Sequence, residues 1–138
     1  MHPIGGRVQS PRWVALGTDR FVAWLLECHD DQKVFLRVYA HMTDMIDKLE
    51  LAGPAVDRKW AKKLRDHDGL GEIRYNDGGS RAFRAFFRFG RQGARRVIVF
   101  GDGDSKTSDD FSRERYERAN RLILEEMDEH GITTAQDW

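Results

Sequence analysis

Residues 70–100 read LGEIRYNDGGSRAFRAFFRFGRQGARRVIVF, and the architecture turns on them. Residues 70–75 alternate weakly between apolar and polar. Asn76-Asp77-Gly78-Gly79 is a turn signal, because Asn, Asp and Gly tolerate positive φ. Residues 83–89 form an aromatic-rich strand bounded by Gly90. A second turn at 90–93 leads into a third strand at 96–100, which contains Val97, Ile98 and Val99. Strands this close in sequence predict an antiparallel meander, since a parallel pair needs a crossover of about a dozen residues or more.

Helical patterns flank the meander. Upstream, residues 13–16 suit a short strand, Gly17 breaks it, and Thr18 or Asp19 can cap a helix carrying Phe21, Val22, Trp24, Leu25 and Leu26. Asp30 and Asp31 offer a second cap. From there Val34, Val38, Met42, Met45, Ile46 and Leu49 recur at three- and four-residue steps, the signature of an amphipathic helix ended by Gly53 and Pro54. Downstream, residues 101–108 read as a polar loop. Asp109, Asp110 or Ser112 can cap a last helix with Tyr116, Ala119, Ile123 and Met127 on one face, stopped by Gly131. The expected fold class is α+β: a small antiparallel sheet packed on one apolar face against an N-terminal helix pair and a C-terminal helix. The expected organisation is a flexible leader at 1–12, one domain at 13–131 and a tail at 132–138.

The 138 residues suit a single core, and 40% apolar with 33% charged residues excludes both a disordered chain and a membrane protein. The longest clean apolar run, 21–26, is far too short to span a bilayer. Cys28 stands alone, so no internal disulfide can form, and residues 1–12 contain no signal-peptide core; the expected compartment is the cytoplasm. The zero net charge hides a division. Residues 57–97 hold twelve Lys/Arg against five Asp/Glu, for +7, and residues 98–138 hold five against eleven, for −6. A basic middle suits a polyanion, and it equally suits a solvated face paired with its acidic neighbour. The Cys28-His29-Asp30-Asp31 cluster makes a poor tetrahedral metal site, and Asp102-Gly103-Asp104 lacks the glycine and glutamate of a calcium loop. No metal or cofactor is expected.

Several pieces in fixed order carry a resemblance: Lys63-Leu64-Arg65-Asp66, then Gly69-Leu70-Gly71-Glu72-Ile73-Arg74, then Phe83-Arg84-Ala85-Phe86-Phe87, then Val97-Ile98-Val99-Phe100, then Asp104-Ser105-Lys106-Thr107, then Ala119. From Thr18 to about Met127 the chain resembles the RelE/HigB toxin superfamily, in particular its phage-derived branch. Gly71 stands where that family has an aromatic, and Ser105 replaces one member of its basic pair. The resemblance implies a toxin of a toxin–antitoxin system, a ribosome-dependent mRNA endoribonuclease working without a metal, in which the ribose 2′-OH attacks the adjacent phosphorus. It also implies a helix-turn-helix antitoxin, the ribosome and mRNA as partners, and no membrane.

Under that resemblance the expected catalytic residues are Arg74, Arg84 and Lys106, joined by His67, which is not a strict motif residue of the family. Guanidinium groups suit the charge of a five-coordinate phosphorane because their planar fork donates two hydrogen bonds to phosphate. Arg74 and Arg84 fall on neighbouring strands about 4.8 Å apart, close enough to share a phosphate if they share a face; the plainer alternative is a pair of sheet arginines neutralised by Glu72 or the last helix. Lys106 would hold the phosphate or move a proton, and His67 is the imidazole available for acid–base work. Lys62, Lys63, Arg65, Arg81 and Arg88 are the expected RNA-binding cations. Phe83, Phe87 and Phe89 share one strand parity and Phe86 has the other, so Phe86 is the expected outward ring, available to stack on a base. Neutral charge and the incomplete basic pair favour an alternative: a non-catalytic RNA- or protein-binding module of the same fold. A gyrase-directed relative is a third reading.

Overall fold

The computed structural model describes residues 1–27, 32–64, 67, 69–77, 81–106 and 111–135. The expected features at Cys28 to Asp31, Arg65, the Gly78-Gly79 turn, Thr107, Asp109 and Asp110 lie outside the described residues. In chain order the elements are β1 (His2–Pro3), β2 (Val14–Gly17), α1 (Asp19–Glu27), α2 (Gln32–Ala52), β3 (Lys62–Lys63), β4 (Gly71–Asp77), β5 (Arg81–Gln92), β6 (Arg95–Lys106), α3 (Arg113–Glu129) and β7 (Thr133–Thr134). The fold is α+β. No described helix is long and apolar enough to cross a membrane.

The sheet is built on the β5–β6 hairpin, turned at Gly93 with φ +62°. Its order is β1-β2-β6-β5-β4-β3, and β7 pairs with the far end of β5. The β4–β5–β6 meander is antiparallel, as its short turns require. The sheet as a whole is mixed, however, because β2 lies parallel to β6, Val14 opposite Val97 and Gly17 opposite Phe100. The expectation of a wholly antiparallel sheet fails here because β2 sits far upstream, with two helices and three strands as its crossover. The two ends of the described chain also contribute strands: β1 pairs with β2, and Thr133 and Thr134 pair with Arg91 and Gly90.

A second correction concerns the faces. The sheet is covered on both sides. Phe21 of α1 and Val38, Met42, Ile46 and Leu49 of α2 pack against Ile73, Phe83, Phe87, Phe89, Ile98 and Phe100. On the opposite face Ala119, Ile123 and Met127 of α3 pack against Leu16, Leu70, Phe86, Val97 and Val99. The unbroken apolar run of residues 97–100 is what a strand buried on both faces looks like. Phe86 therefore has the parity expected of it but is fully buried, since its face is roofed by α3.

Caps account for the helix starts. Thr18 Oγ1 accepts the Phe21 N–H at 3.1 Å and donates to the Gly101 carbonyl at 2.9 Å, tying α1 to the sheet. Ser112 Oγ accepts the Arg115 N–H at 3.1 Å. Gly53 closes α2 at φ +55°, where a Cβ would lie 2.2 Å from the Trp13 indole nitrogen.

Residues 101–106, expected as loop, continue β6, because β5 is long enough to pair with them. Their glycines serve close approaches. Gly101 is a one-residue bulge: Phe86 pairs with Asp102 and Phe87 with Phe100. A Cβ on Gly101 would lie 2.1 Å from Ile123 Cγ1 and 3.1 Å from its Cα, while one on Gly103 would strike Trp24. Gly101→Ala must push α3 off the sheet, and urea denaturation should show a loss of about 1–3 kcal/mol, the usual cost of overpacking; an unchanged midpoint would contradict the tight α3 contact.

Candidate functional site

Past the Gly101 bulge, three rungs of the sheet present polar side chains toward α3. One rung runs Arg74–Arg84–Asp104, the next Glu72–Phe86–Asp102, and the third Asn76–Ala82–Lys106. Residues directly opposite in a ladder share a face, so Arg74 and Arg84 lie side by side as the sequence suggested. Lys106 joins them: its Nζ lies 5.0 Å from the Phe111 ring centroid, and the Arg84 guanidinium carbon lies 5.2 Å from the same centroid. Two of the three cations thus meet beside one aromatic ring, and Arg74 stands next to Arg84 in the same rung.

Like charges at this spacing repel, and the two arginines have polar partners that offset this. Arg74 Nε donates to Glu72 Oε1 at 2.5 Å; the Arg74 side chain is 42% exposed and that of Glu72 is fully buried. Arg84 is 1% exposed and donates through Nη1 to Asn76 Oδ1 at 3.1 Å and to the Phe83 carbonyl at 2.9 Å. Phe111 lies over it.

From α3, Arg115 reaches down to the same rungs. Its Nε donates to Asp104 Oδ2 and its Nη2 to Asp102 Oδ2, both at 2.6 Å, and its guanidinium lies over the Phe86 ring. Burial works against the Arg115 charge, but the bonds and charges of the two carboxylates outweigh it and hold its pKa above the ordinary arginine value. The next residue, Tyr116, packs edge-on to Phe86, centroids 5.7 Å apart. Burial raises its hydroxyl pKa, and the charge of Glu72 and a hydrogen bond with it raise it further.

His67 reaches this region through Tyr116, their ring centroids 5.9 Å apart, and it lines a groove of about 440 Å³ with Asn120 and Glu117 of α3. The other expected cations are scattered. Lys62 and Lys63 are exposed on β3, with Lys62 opposite Glu72. Arg81 lies 5.4 Å from the Phe83 ring and shares that ring's strand parity, on the face away from Arg84. Arg88 is 9% exposed; its Nη1 donates to Asn120 Oδ1 at 2.6 Å. Arg65 lies outside the described residues. Among the described residues, the metal-ligating side chains that cluster are Glu126, Glu129 and His130, at the opposite end of α3 from Arg115.

The sequence pointed to Glu72 only as a neutralising neighbour, to Asp102 and Asp104 only as a failed calcium loop and to Tyr116 only as an apolar helix position, and it gave no notice of Phe111 or Arg115. A period-2 pair of aspartates followed by an arginine in the first turn of a capped helix was the available signal for the clamp.

A small α+β domain whose sheet gathers cations beneath a C-terminal helix is the class that this geometry defines. Residues 25–123 match the family described as phage derived protein Gp49-like (DUF891), and the chain belongs to that family. The match runs from the end of α1 into α3 and includes every rung described above. No curated protein matches the chain.

Two predictions follow from this geometry. Arg115→Ala leaves the buried carboxylate of Asp102 and the half-buried one of Asp104 without their cation and should cost about 3 kcal/mol in chemical denaturation, whereas the triple replacement Asp102→Asn, Asp104→Asn, Arg115→Met should recover most of it; equal losses would show that the clamp's charge is not what matters. On the other face, His41 of α2 packs on Tyr75, centroids 5.0 Å apart. Burial lowers its pKa below the ordinary 6.5, against an opposing hydrogen bond to the Arg74 backbone. The unfolded chain then takes up the proton first, so this contribution to stability is full above pH 6.5 and is lost as pH falls through the folded value. Denaturant midpoints should drop below pH 6.5 in the wild type and drop less in His41→Gln.

Proposed function

We propose that the chain is a toxin of the RelE/HigB kind that binds mRNA on the ribosome and cleaves it without a metal. The observation that carries this reading is the meeting of Arg74, Arg84 and Lys106 on one face of the sheet. In the proposed reaction the 2′-oxygen bonds to the adjacent phosphorus and the bond to the 5′-oxygen breaks, leaving a cyclic phosphate and a 5′-hydroxyl. One proton leaves the 2′-hydroxyl and one reaches the departing oxygen. Arg74 and Arg84 are suited to bear the charge that grows on the non-bridging oxygens, because a guanidinium stays charged and donates two parallel bonds. Lys106 anchors the phosphate, and His67 is the candidate for proton transfer. Access to Arg84 requires the Phe111 ring to swing aside. A helix-turn-helix antitoxin would silence such a protein by covering this face.

Two observations favour a second reading, a non-catalytic RNA- or protein-binding module of the same fold. Arg84 is 1% exposed, and Arg74 is already held by Glu72.

Inducible expression in bacteria separates the two. Wild type should arrest growth with mRNA cuts phased to codons, and Arg74→Ala and Lys106→Ala, whose side chains are not part of the buried core, should lower cleavage by about a hundredfold or more. Arg84→Ala should abolish it, with a thermal melt to confirm folding. Growth and translation undisturbed by the wild type would leave the binding-module reading standing and end the nuclease one.

A further inference from the structure

The segment between α2 and β3 reads Gly53-Pro54-Ala55-Val56-Asp57-Arg58-Lys59-Trp60-Ala61, followed by Lys62-Lys63. It is pinned at both ends. Val56 is 6% exposed and Ala61 is 1% exposed, and both belong to the helix-pair core. Between these anchors the backbone makes a tight turn: the Trp60 N–H donates to the Asp57 carbonyl at 2.9 Å, and the Lys59 N–H to Asp57 Oδ1 at 3.0 Å. Arg58 and Lys59 are thereby held outward on a fixed frame, with Trp60 half-buried beside them.

Two ammonium groups gather at that ring. Lys59 Nζ and Lys48 Nζ, the latter from α2, each lie 4.8 Å from the Trp60 centroid. The negative face of an indole attracts cations, which offsets part of their mutual repulsion. Asp44, four residues before Lys48 on α2, takes a bond from its ammonium at 2.7 Å. Two hollows of about 280 Å³ each border the segment. One is lined by Arg58, Lys62 and Lys63; the other is largely apolar and is formed by Leu51, Ala52 and Val56 with Trp60. Leu51, 53% exposed, forms part of the rim of the second hollow.

A basic hollow next to an apolar, aromatic one matches the alternation of a single nucleic-acid strand, phosphate beside unstacked base. The geometry points to a second RNA-docking surface, formed by Lys48, Lys59 and Trp60 and continued by Arg58 and Lys62 along the β3 edge, that holds single-stranded RNA by its phosphates and seats one base against Leu51. It takes its ligand class from the RNA reading above but does not depend on cleavage. Lys62 lies opposite Glu72 in register, so a strand held here passes over the β3 edge toward Arg74.

The test is fluorescence anisotropy of the full chain with a labelled single-stranded RNA dodecamer of mixed A and U, over a series of salt concentrations. The triple variant Arg58→Gln, Lys59→Gln, Lys62→Gln should bind about tenfold more weakly or worse at 0.1 M salt. Its plot of log affinity against log salt should be shallower by about 2, the loss of three phosphate contacts. A charge-matched variant on α3, Arg113→Gln, Arg118→Gln, Arg121→Gln, should stay within about threefold of wild type. Equal losses in the two triples, or none in the first, overturn the proposal. Competition by poly-glutamate as effective as by unlabelled RNA also overturns it, in favour of an acidic protein segment. A wild-type chain that binds RNA here but never cuts it would sink the nuclease and spare the surface.

Discussion

One unpaired residue in β6 sets the polarity of everything beyond it. Up to Phe100 the strand alternates between two apolar cores, with Ile98 and Phe100 toward the helix pair and Val97 and Val99 toward α3. Without a bulge the next even-numbered side chains, Asp102 and Asp104, would enter the helix-pair core, where two carboxylates have no cation to meet. The extra residue at Gly101 shifts the count by one, so both aspartates and Lys106 turn to the α3 face instead. A glycine is needed because α3 comes within contact of that point through Ile123.

The same shift brings opposite charges into reach of each other. Arg115, one turn into a helix whose start is fixed by Ser112, meets Asp102 and Asp104 at hydrogen-bond distance. Arg74 and Arg84 stand in the same rung as Asp104. The face is therefore an alternating lattice of charges under a helix, in which any anion that enters must compete with carboxylates already present. Burial makes that competition steep, since an exchange of partners is more easily made than a loss of partners.

Much of this was legible in the sequence. The meander, both long helices and the Thr18 and Ser112 caps follow from periodicity and turn residues, all of which are local, whereas the shared face of Arg74 and Arg84 depends on a register between strands that the sequence left open. What local patterns do not carry is which strand lies next to a distant one. The parallel pairing of β2 with β6 is invisible to any window of residues. So is the covering of Phe86, whose parity was read correctly but whose roof, α3, arrives 25 or more positions later in the chain. The two glycines at 101 and 103 read as loop residues because nothing nearby reveals that a helix and a tryptophan press on them from opposite sides. The Trp60 surface escaped notice for the same reason: Lys48 and Lys59 look unrelated until α2 and the following turn are folded together.

The Thr18–Gly101 hydrogen bond joins residues 83 positions apart. Its partner strand is made only after both N-terminal helices and three further strands. Until β6 is made, α1 and α2 exist with their greasy sides exposed and no sheet centre to lie on. Assembly of this domain during translation is thus held back by its own connectivity, and the interval is one in which a chaperone or a bound partner has the nascent helices to itself.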